Sequence, residues 1–280
     1  MSVCAIILNY FDENGTIKCI ESLGISKLDL IVIVDNSGDV DAANKLTLRV
    51  NDFLKLNPDK KIRLFINKNN IGFSAGINKA VKTIEKESLF GYYFFINNDA
   101  IASAEVVNRL LYELENDSNL TMAAPLIRHM NDLQGYLYYQ PVTGLVFRTK
   151  KPWTISFLSG CCLMLRRSDF HGYILDEEFF MYGEDIELCW RVARNGKKIK
   201  LCSDIYVDHK GSSSSNKCSF FYEYHVLKGH FVLSRKVLKK AGRFLSFFIK
   251  PIILFARMVR RIVICRSINP VKAYCAQLRG

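Results

Sequence analysis

The first hundred residues contain four short apolar runs, and each closes on Asn or Asp. Val3–Leu8 leads to Asn9-Tyr10, Asp29–Asp35 to Asn36-Ser37-Gly38, Ile62–Ile66 to Asn67, and Tyr92–Ile96 to Asn97-Asn98-Asp99. Apolar runs of this length predict strands buried on both faces, as found inside a parallel sheet. Between them the pattern predicts helices over about Thr16–Leu23 and Val40–Leu56, one opening in Asn67–Asn78 and continuing to about Glu87, and one over Ser103–Asn116. Strand–helix–strand alternation implies right-handed crossovers and an α/β fold with a mostly parallel sheet flanked by helices. In such a sheet ligands sit beyond the carboxyl ends of the strands, where these polar residues fall.

Asn97-Asn98-Asp99 sets a carboxylate beside two amides, hard-oxygen ligand chemistry suited to Mg²⁺ or Mn²⁺ carrying a diphosphate. An Asx-rich turn capping the next helix would use the same residues. Strand one does not lead into Gly-x-Gly-x-x-Gly, and no Gly-x-x-x-x-Gly-Lys-Ser/Thr occurs. Dinucleotide oxidoreductases and P-loop NTPases are therefore poor fits. The Asn67–Asn78 stretch instead offers Asn70 and Asn78 amides, with Gly72 and Gly76 permitting close approach.

The 280 residues are enough for one sizeable core. Nine scattered cysteines without a Cys-x-x-Cys pair argue for reduced, mostly buried thiols, against a zinc site or a disulfide framework. With no signal-like segment ahead of Val3, this predicts a cytosolic protein. The net charge of +12 is localised: Lys228–Gly280 holds thirteen Lys and Arg and no acid, so the preceding body is nearly neutral. That distribution disfavours nucleic acid as a partner of the body.

Taken together, strand-Asn9-Tyr10, strand-Asp35-Asn36-Ser37, Asn70-x-Gly72-Phe73-x-x-Gly76-x-Asn78 and strand-Asn97-Asn98-Asp99 resemble the GT-A nucleotide-sugar fold of family 2 glycosyltransferases. The resemblance covers about residues 3–240 and lies nearest the bacterial rhamnosyltransferase-like branch that builds surface polysaccharide such as O-antigen or capsule. It implies an inverting transfer from a nucleoside diphosphate sugar, dTDP- or UDP-linked, to a glycan hydroxyl on a polyprenyl-diphosphate carrier. It also implies Mg²⁺ or Mn²⁺, held by Asp99 and His209. Base and ribose contacts are expected from Asn9, Asp35 and Asn70, with Tyr10, Asn36, Phe73, Asn78, Asn97 and Asn98 completing the donor site. The family's Asp-x-Asp motif stands here as Asn97-Asn98-Asp99, with one carboxylate.

Downstream, Thr121–Ile127 predicts a strand, Tyr136–Tyr139 with Thr143–Phe147 a hairpin whose aromatic run serves packing, and Ser156–Leu165 a further buried strand. Glu184-Asp185 opens a helix expected to turn Ile186, Cys189, Trp190 and Ala193 to the core. Carboxylates there are favoured by the helix dipole in any protein. The resemblance makes Asp185 the catalytic base and places Glu184, Gly160 and Trp190 on the acceptor side. Lys198–Cys202 and Ile205–Asp208 predict edge strands ahead of His209-Lys-Gly and four serines, Ser212–Ser215, where the family has a His-Gly-Ser element. A sugar-nucleotide nucleotidyltransferase or a silent glycan-binding relative would explain parts of the pattern. The first wants a Gly-rich basic loop after strand one, and the second should have lost Asp99 or Asp185.

The expected organisation is a catalytic domain over 1–240 and a basic amphipathic tail over 241–280. Arg243–Arg266 interleaves apolar clusters with Lys and Arg in runs far short of the roughly 20 residues that span a bilayer. It suits peripheral binding to the anionic inner face of a bacterial plasma membrane. A helix packed on the domain, or on a second copy in a homodimer, would show the same pattern.

Overall fold

The computed structural model of the chain describes residues 2–24, 26–130, 132–211 and 217–279. Strand β1 (Val3–Asn9) runs parallel between β2 (Leu30–Asp35) and β4 (Tyr92–Asn97), and β2 runs parallel to β3 (Ile62–Ile66). The register pairs Asn9 with Asp35 and Leu8 with Asn97, so the polar strand ends emerge level at one edge. Alternation along β1 divides the core. Val3, Ala5 and Ile7 pack under helices α1 (Glu13–Ser22), α2 (Val40–Leu56) and α4 (Ala104–Asn116). Cys4 and Ile6 pack under α3 (Phe73–Ile84) and α5 (Glu184–Arg194). Both faces are covered, as the unbroken apolar runs require.

Beyond β4 the sheet becomes mixed. It continues through β11 (Cys162–Arg166), β6 (Leu120–His129), β12 (Lys198–His209) and the two-residue β5 (Ala100–Ile101), with β7 (Asp132–Gln134) beside β6. The expected hairpin forms as β8 (Leu137–Tyr139) with β9 (Val146–Phe147), and β10 (Ile155–Phe157) pairs on the other side of β8. Its aromatics pack: Tyr139 is fully buried, and the Tyr136 hydroxyl donates to the Ile199 carbonyl at 3.0 Å.

Three expectations are corrected here. The run Ser156–Leu165 is not one strand. It breaks at Leu158–Cys161, and its halves join different sheets as β10 and β11. The two segments expected as edge strands are one strand, β12, irregular between Cys202 and Tyr206; it pairs with β6 along its length, and only Asp208 and His209 gain a second partner, in β5. On α5, Ala193 is exposed and Trp190 half-buried, while Ile186, Leu188, Cys189 and Val192 face the core.

Residues 241–280 begin in α7 (Lys240–Cys265) and run through α8 (Asn269–Arg279), both packed against α6 (Phe220–Val237). The inward stripe of α7 is Ser246, Lys250, Leu254 and Met258, at four-residue spacing. Lys250 is 1% exposed and donates to the His230 carbonyl (3.0 Å), the Tyr139 hydroxyl (3.3 Å) and Ser234 Oγ. Burial pulls its ammonium down to about 7, because the neutral amine is the cheaper form away from water. Two turns on, Arg257 and Arg261 each bond the fully buried Glu223 carboxylate of α6 at 2.6 Å.

The cysteine expectation holds for six buried thiols, Cys4, Cys19, Cys161, Cys162, Cys189 and Cys202, extends to Cys275 as a free but exposed thiol, and fails for a pair. Cys218 and Cys265 form a disulfide joining the residue before the α6 cap to the end of α7. The two are 47 residues apart and meet only because α7 runs back along α6, which no local spacing displays.

Removing the Glu223 carboxylate strands two guanidinium groups against α6. Because both arginines keep some solvent, Glu223→Ala is expected to cost about 3 kcal/mol, the low end for breaking a buried ion pair. Urea unfolding monitored by circular dichroism checks it, and an unchanged midpoint would contradict it.

Candidate active site

A cleft of about 490 Å³ opens at the carboxyl edge of the sheet. Of the sequence-expected residues, it is lined by Tyr10, Asn36, Asn70, Phe73, Asn97, Asn98, Asp99, Gly160, Glu184, Asp185 and His209. Asn9, Asp35, Asn78 and Trp190 do not line it. Asn9 and Asp35 lie one layer beneath: Asn9 Nδ2 donates to Asp35 Oδ1 at 2.9 Å, and Asn9 Oδ1 accepts from Thr16 and Asn98. Asn78 braces the segment before Glu177, receiving the Ile174 and Leu175 amides and donating to the Leu175 carbonyl. Trp190 sits more than a turn along α5 under the Arg194 guanidinium.

One floor of the cleft is an amide lattice. Asn36 Nδ2 donates to Asn70 Oδ1 and the Gly72 carbonyl, both at 3.0 Å, and Asn36 Oδ1 accepts from Asn67 Nδ2 at 3.1 Å. Gly72 adopts φ +87° and ψ 169°, a conformation essentially confined to glycine. A Cβ there would fall 2.6 Å from the Phe180 carbonyl oxygen, so the α3 entrance and the Phe180 segment meet backbone to backbone.

Asp99 and His209 meet because of a strand ladder. The two residues of β5 directly follow Asp99, and Ala100 pairs with His209 across β5 and β12. His209 Nε2 then lies 3.1 Å from Asp99 Oδ1, and its Nδ1 is buried without a hydrogen-bond partner. A carboxylate and an imidazole at one point of a cleft fit a divalent ion that takes its remaining oxygens from a diphosphate and water. Among the described residues no further His, Cys, Asp or Glu completes a three-residue group. Ser212–Ser215, expected to follow the histidine as a small-residue loop, lie outside the described residues.

Glu184 and Asp185 occupy the first turn of α5, entered through Tyr182 (φ +68°) and Gly183 (φ +105°). The Gly160 amide donates to Asp185 Oδ2 at 3.4 Å and the Ile186 amide to Oδ1 at 2.9 Å. Glu184 Oε2 is buried with no partner. Burial raises both carboxyl groups, Glu184 further because the Asp185 charge lies beside it. The helix dipole favours the ionised form of Asp185, but loss of water outweighs the amides at the N-terminus.

The cleft takes in Gly72, where close approach was expected, and also residues that sequence reasoning did not assign: Leu8, Ser159, Cys161, Phe180, Met181, Tyr182, Ser219 and Phe221. Phe180-Met181-Tyr182 carried a signal, since aromatics directly precede the Glu184-Asp185 pair. Ser219 and Phe221 carried none, because the start of α6 reaches the cleft through tertiary packing, Phe221 against the Phe180 ring and Tyr222 against Tyr182.

This architecture is that of the GT-A glycosyltransferases. Structures similar to the chain include GalNAc-T7 with UDP, GalNAc and Mn²⁺ (TM-score 0.61, 14% identity, 77% of this chain and 45% of that one). The chain thus spans under half the length of that protein. The mannosyltransferase PcManGT of Pyrobaculum calidifontis, in complex with GDP-Man and Mn²⁺, aligns with TM-score 0.62 at 12% identity over 99% of this chain and 79% of its own. S. aureus TarS 1–349 aligns with TM-score 0.53 at 14% identity over 98% and 89%. In sequence, the low-salt glycan biosynthesis hexosyltransferase Agl10 of Haloferax volcanii is 24% identical over 94% of this chain and 85% of its own length. Residues 2–174, more than half of the chain, match Glycosyl transferase family 2, and the chain belongs to that family. It is a glycosyltransferase.

Gly72→Ala forces a side chain into the Phe180 backbone and a conformation costing about 1–3 kcal/mol. It is expected to lower thermal stability and to weaken binding of nucleoside diphosphates, read by calorimetry. Unaltered affinity and melting temperature would show that the close approach is not needed.

Proposed function

We propose that the enzyme acts in glycan biosynthesis, transferring a sugar with inversion from a nucleoside diphosphate donor to a glycan hydroxyl. The observation that supports it best is the shared cleft: Asp99 with His209 at the end of the parallel strands, and Glu184 with Asp185 at the start of α5. One pair suits the leaving diphosphate and the other the incoming hydroxyl. The solved structures of similar fold hold UDP or GDP-Man together with Mn²⁺, which supports a nucleotide-sugar donor and a divalent cofactor, Mg²⁺ or Mn²⁺.

In the proposed reaction the acceptor oxygen bonds to the anomeric carbon from the side opposite the diphosphate. The bond from that carbon to the diphosphate oxygen breaks, and the hydroxyl proton passes to the Asp185 carboxylate. Asp185 is held for this by the Gly160 and Ile186 amides. The Asn36–Asn70–Gly72 lattice orients the nucleoside, with Tyr10 and Phe73 as walls, and Asn9 and Asp35 support it from beneath. A divalent ion held by Asp99 and His209 would offset the charge on the departing diphosphate.

The finer reading is a bacterial surface-polysaccharide enzyme that transfers rhamnose from a dTDP donor to a polyprenyl-diphosphate-linked acceptor, peripheral on the inner membrane face. It is supported by the resemblance of the ordered motifs and by the basic, apolar composition of α7. Among the described residues no helix is long and apolar enough to cross a membrane.

Two outcomes test the assignments. Asp185→Asn is expected to lose about 10²–10⁴ in kcat while retaining donor affinity. Since the base must be ionised, kcat/KM of the native enzyme falls as pH drops through about 6, where burial places the Asp185 carboxyl. Near-normal turnover in Asp185→Asn, or loss of donor binding, would shift the role to Glu184. Separately, Asp99→Ala is expected to abolish the Mn²⁺-dependent part of donor binding, and identical affinities with and without EDTA in both proteins would refute the metal assignment.

A further inference from the structure

The face of α7 opposite its buried stripe carries Phe244, Phe248, Ile252, Phe255, Val259 and Val263. These are spaced by three and four residues and are each between 46% and 73% exposed. An apolar stripe five turns long on the outside of a domain needs a covering partner. Charge selects among partners. Lys239, Lys240, Arg243, Arg260 and Arg266 are exposed along the same helix and its ends, and no Asp or Glu occurs from Lys228 onward. A second copy of this strongly basic region would set cation against cation. An anionic lipid surface neutralises it.

The stripe also has a fixed relation to the cleft. The end of α7 is tied to the start of α6 by the Cys218–Cys265 disulfide, by Asn269 Nδ2 donating to the Cys218 carbonyl at 3.0 Å, and by the Arg261 guanidinium over the Tyr222 ring. The next residues, Phe220 and Phe221, are 42% and 39% exposed, and Phe221 lines the cleft. The apolar face of α7 therefore ends where the cleft wall begins. Buried Lys250 and the Glu223 ion pairs make this arrangement part of the fold and not a free anchor.

We infer that α7 lies lengthwise in the interface of an anionic bilayer through its Phe244–Val263 stripe, and that this seats the Phe220–Phe221 side of the cleft at the headgroups to receive an acceptor whose lipid carrier stays in the membrane. The acceptor half rests on the glycosyl-transfer reading above; the membrane half stands on the helix itself.

The test uses the full chain and vesicles of phosphatidylcholine, with or without phosphatidylglycerol. The native protein is expected to sediment with the anionic vesicles alone. Phe248→Glu combined with Phe255→Glu is expected to weaken that partition about tenfold or more, since each ring withdrawn from lipid forfeits a full apolar burial. Both positions are exposed, so melting temperature and donor hydrolysis should stay native, which separates failure of this inference from failure of the transferase reading. Orientation is read by quenching with brominated lipid after the native tryptophans are replaced by Phe. Phe255→Trp and Phe220→Trp should both be quenched, and Leu48→Trp on α2 should not. Equal sedimentation of the doubly substituted and native proteins, or no sedimentation of the native protein, overturns the membrane face. A native dimer that the double substitution splits into monomers assigns the stripe to a second copy instead. Quenching at 255 without quenching at 220 overturns the orientation.

Discussion

One antiparallel ladder holds the two halves of this active site together. Strand β11 pairs with β4, Cys162 opposite Ile96, and the Asn97 amide donates to the Cys161 carbonyl at 2.8 Å. Strand β4 delivers Asp99, whereas the turn before β11 delivers Ser159, Gly160 and Cys161, and Gly160 in turn bonds Asp185. Two sequence regions more than sixty residues apart are thus set against each other by backbone hydrogen bonds inside a dry sheet. Backbone pairing there is unusually rigid, because any slip would leave buried amide groups without partners. The short β5–β12 ladder adds His209 to Asp99 in the same way. Proximity in this cleft is a property of strand register more than of side-chain attraction.

That construction explains what could be read from the chain beforehand. Strands β1 to β4 and their helices were legible because an all-apolar run needs cover on both faces, and because parallel strands must release their polar ends at one edge. Helix α2 and strand β3 fall on the expected residues. The mixed half was less legible. Ser156–Leu165 reads as a continuous apolar run, yet it serves two sheets, and nothing in its composition marks the crossover. Asn9, Asp35 and Asn78 were recognisable as polar residues at strand and helix ends, but pattern alone does not separate a ligand contact from the layer beneath it. Here the amide lattice uses both. Trp190 lies outside the cleft because it stands more than a turn along α5 from Glu184 and Asp185, half-buried beside the Arg194 guanidinium.

The carboxylate pair shows two opposing electrostatic effects. A helix N-terminus stabilises a nearby carboxylate by a few tenths to about 1 kcal/mol when exposed. Removing two adjacent carboxylates from water costs more, and their mutual repulsion adds to it. Burial prevails for both groups, and more for Glu184, which lacks the Gly160 and Ile186 amides that Asp185 accepts. The result is a division of labour without different chemistry. Of two neighbouring carboxyl groups, the one with these amide donors ionises at lower pH and is free to take up a proton near neutrality, and the one without them retains its proton to higher pH. Proton acceptance near neutrality requires a raised value of this kind, since an ordinary exposed aspartate would be too weak a base.

The C-terminal helices invert the usual reading of polar and apolar positions, which is why their packing was open beforehand. On α7 the inward stripe contains Ser246 and Lys250, and much of the phenylalanine points outward. Lys250 is tolerated inside because the Tyr139 hydroxyl, the His230 carbonyl and Ser234 receive its three donors, and because it can shed its proton cheaply. A buried lysine of this kind contributes little to net stability, since a hydrophobic residue of similar volume would pack as well. What it does provide is direction: a helix apolar on nearly every side has no unique way to dock, and a single ammonium with three fitted acceptors permits one rotation about the helix axis. With that rotation set by Lys250 and locked at the far end by Glu223, the aromatic stripe cannot turn inward, and the exposure of Phe244 to Val263 follows from the polar side of the helix being the specified one.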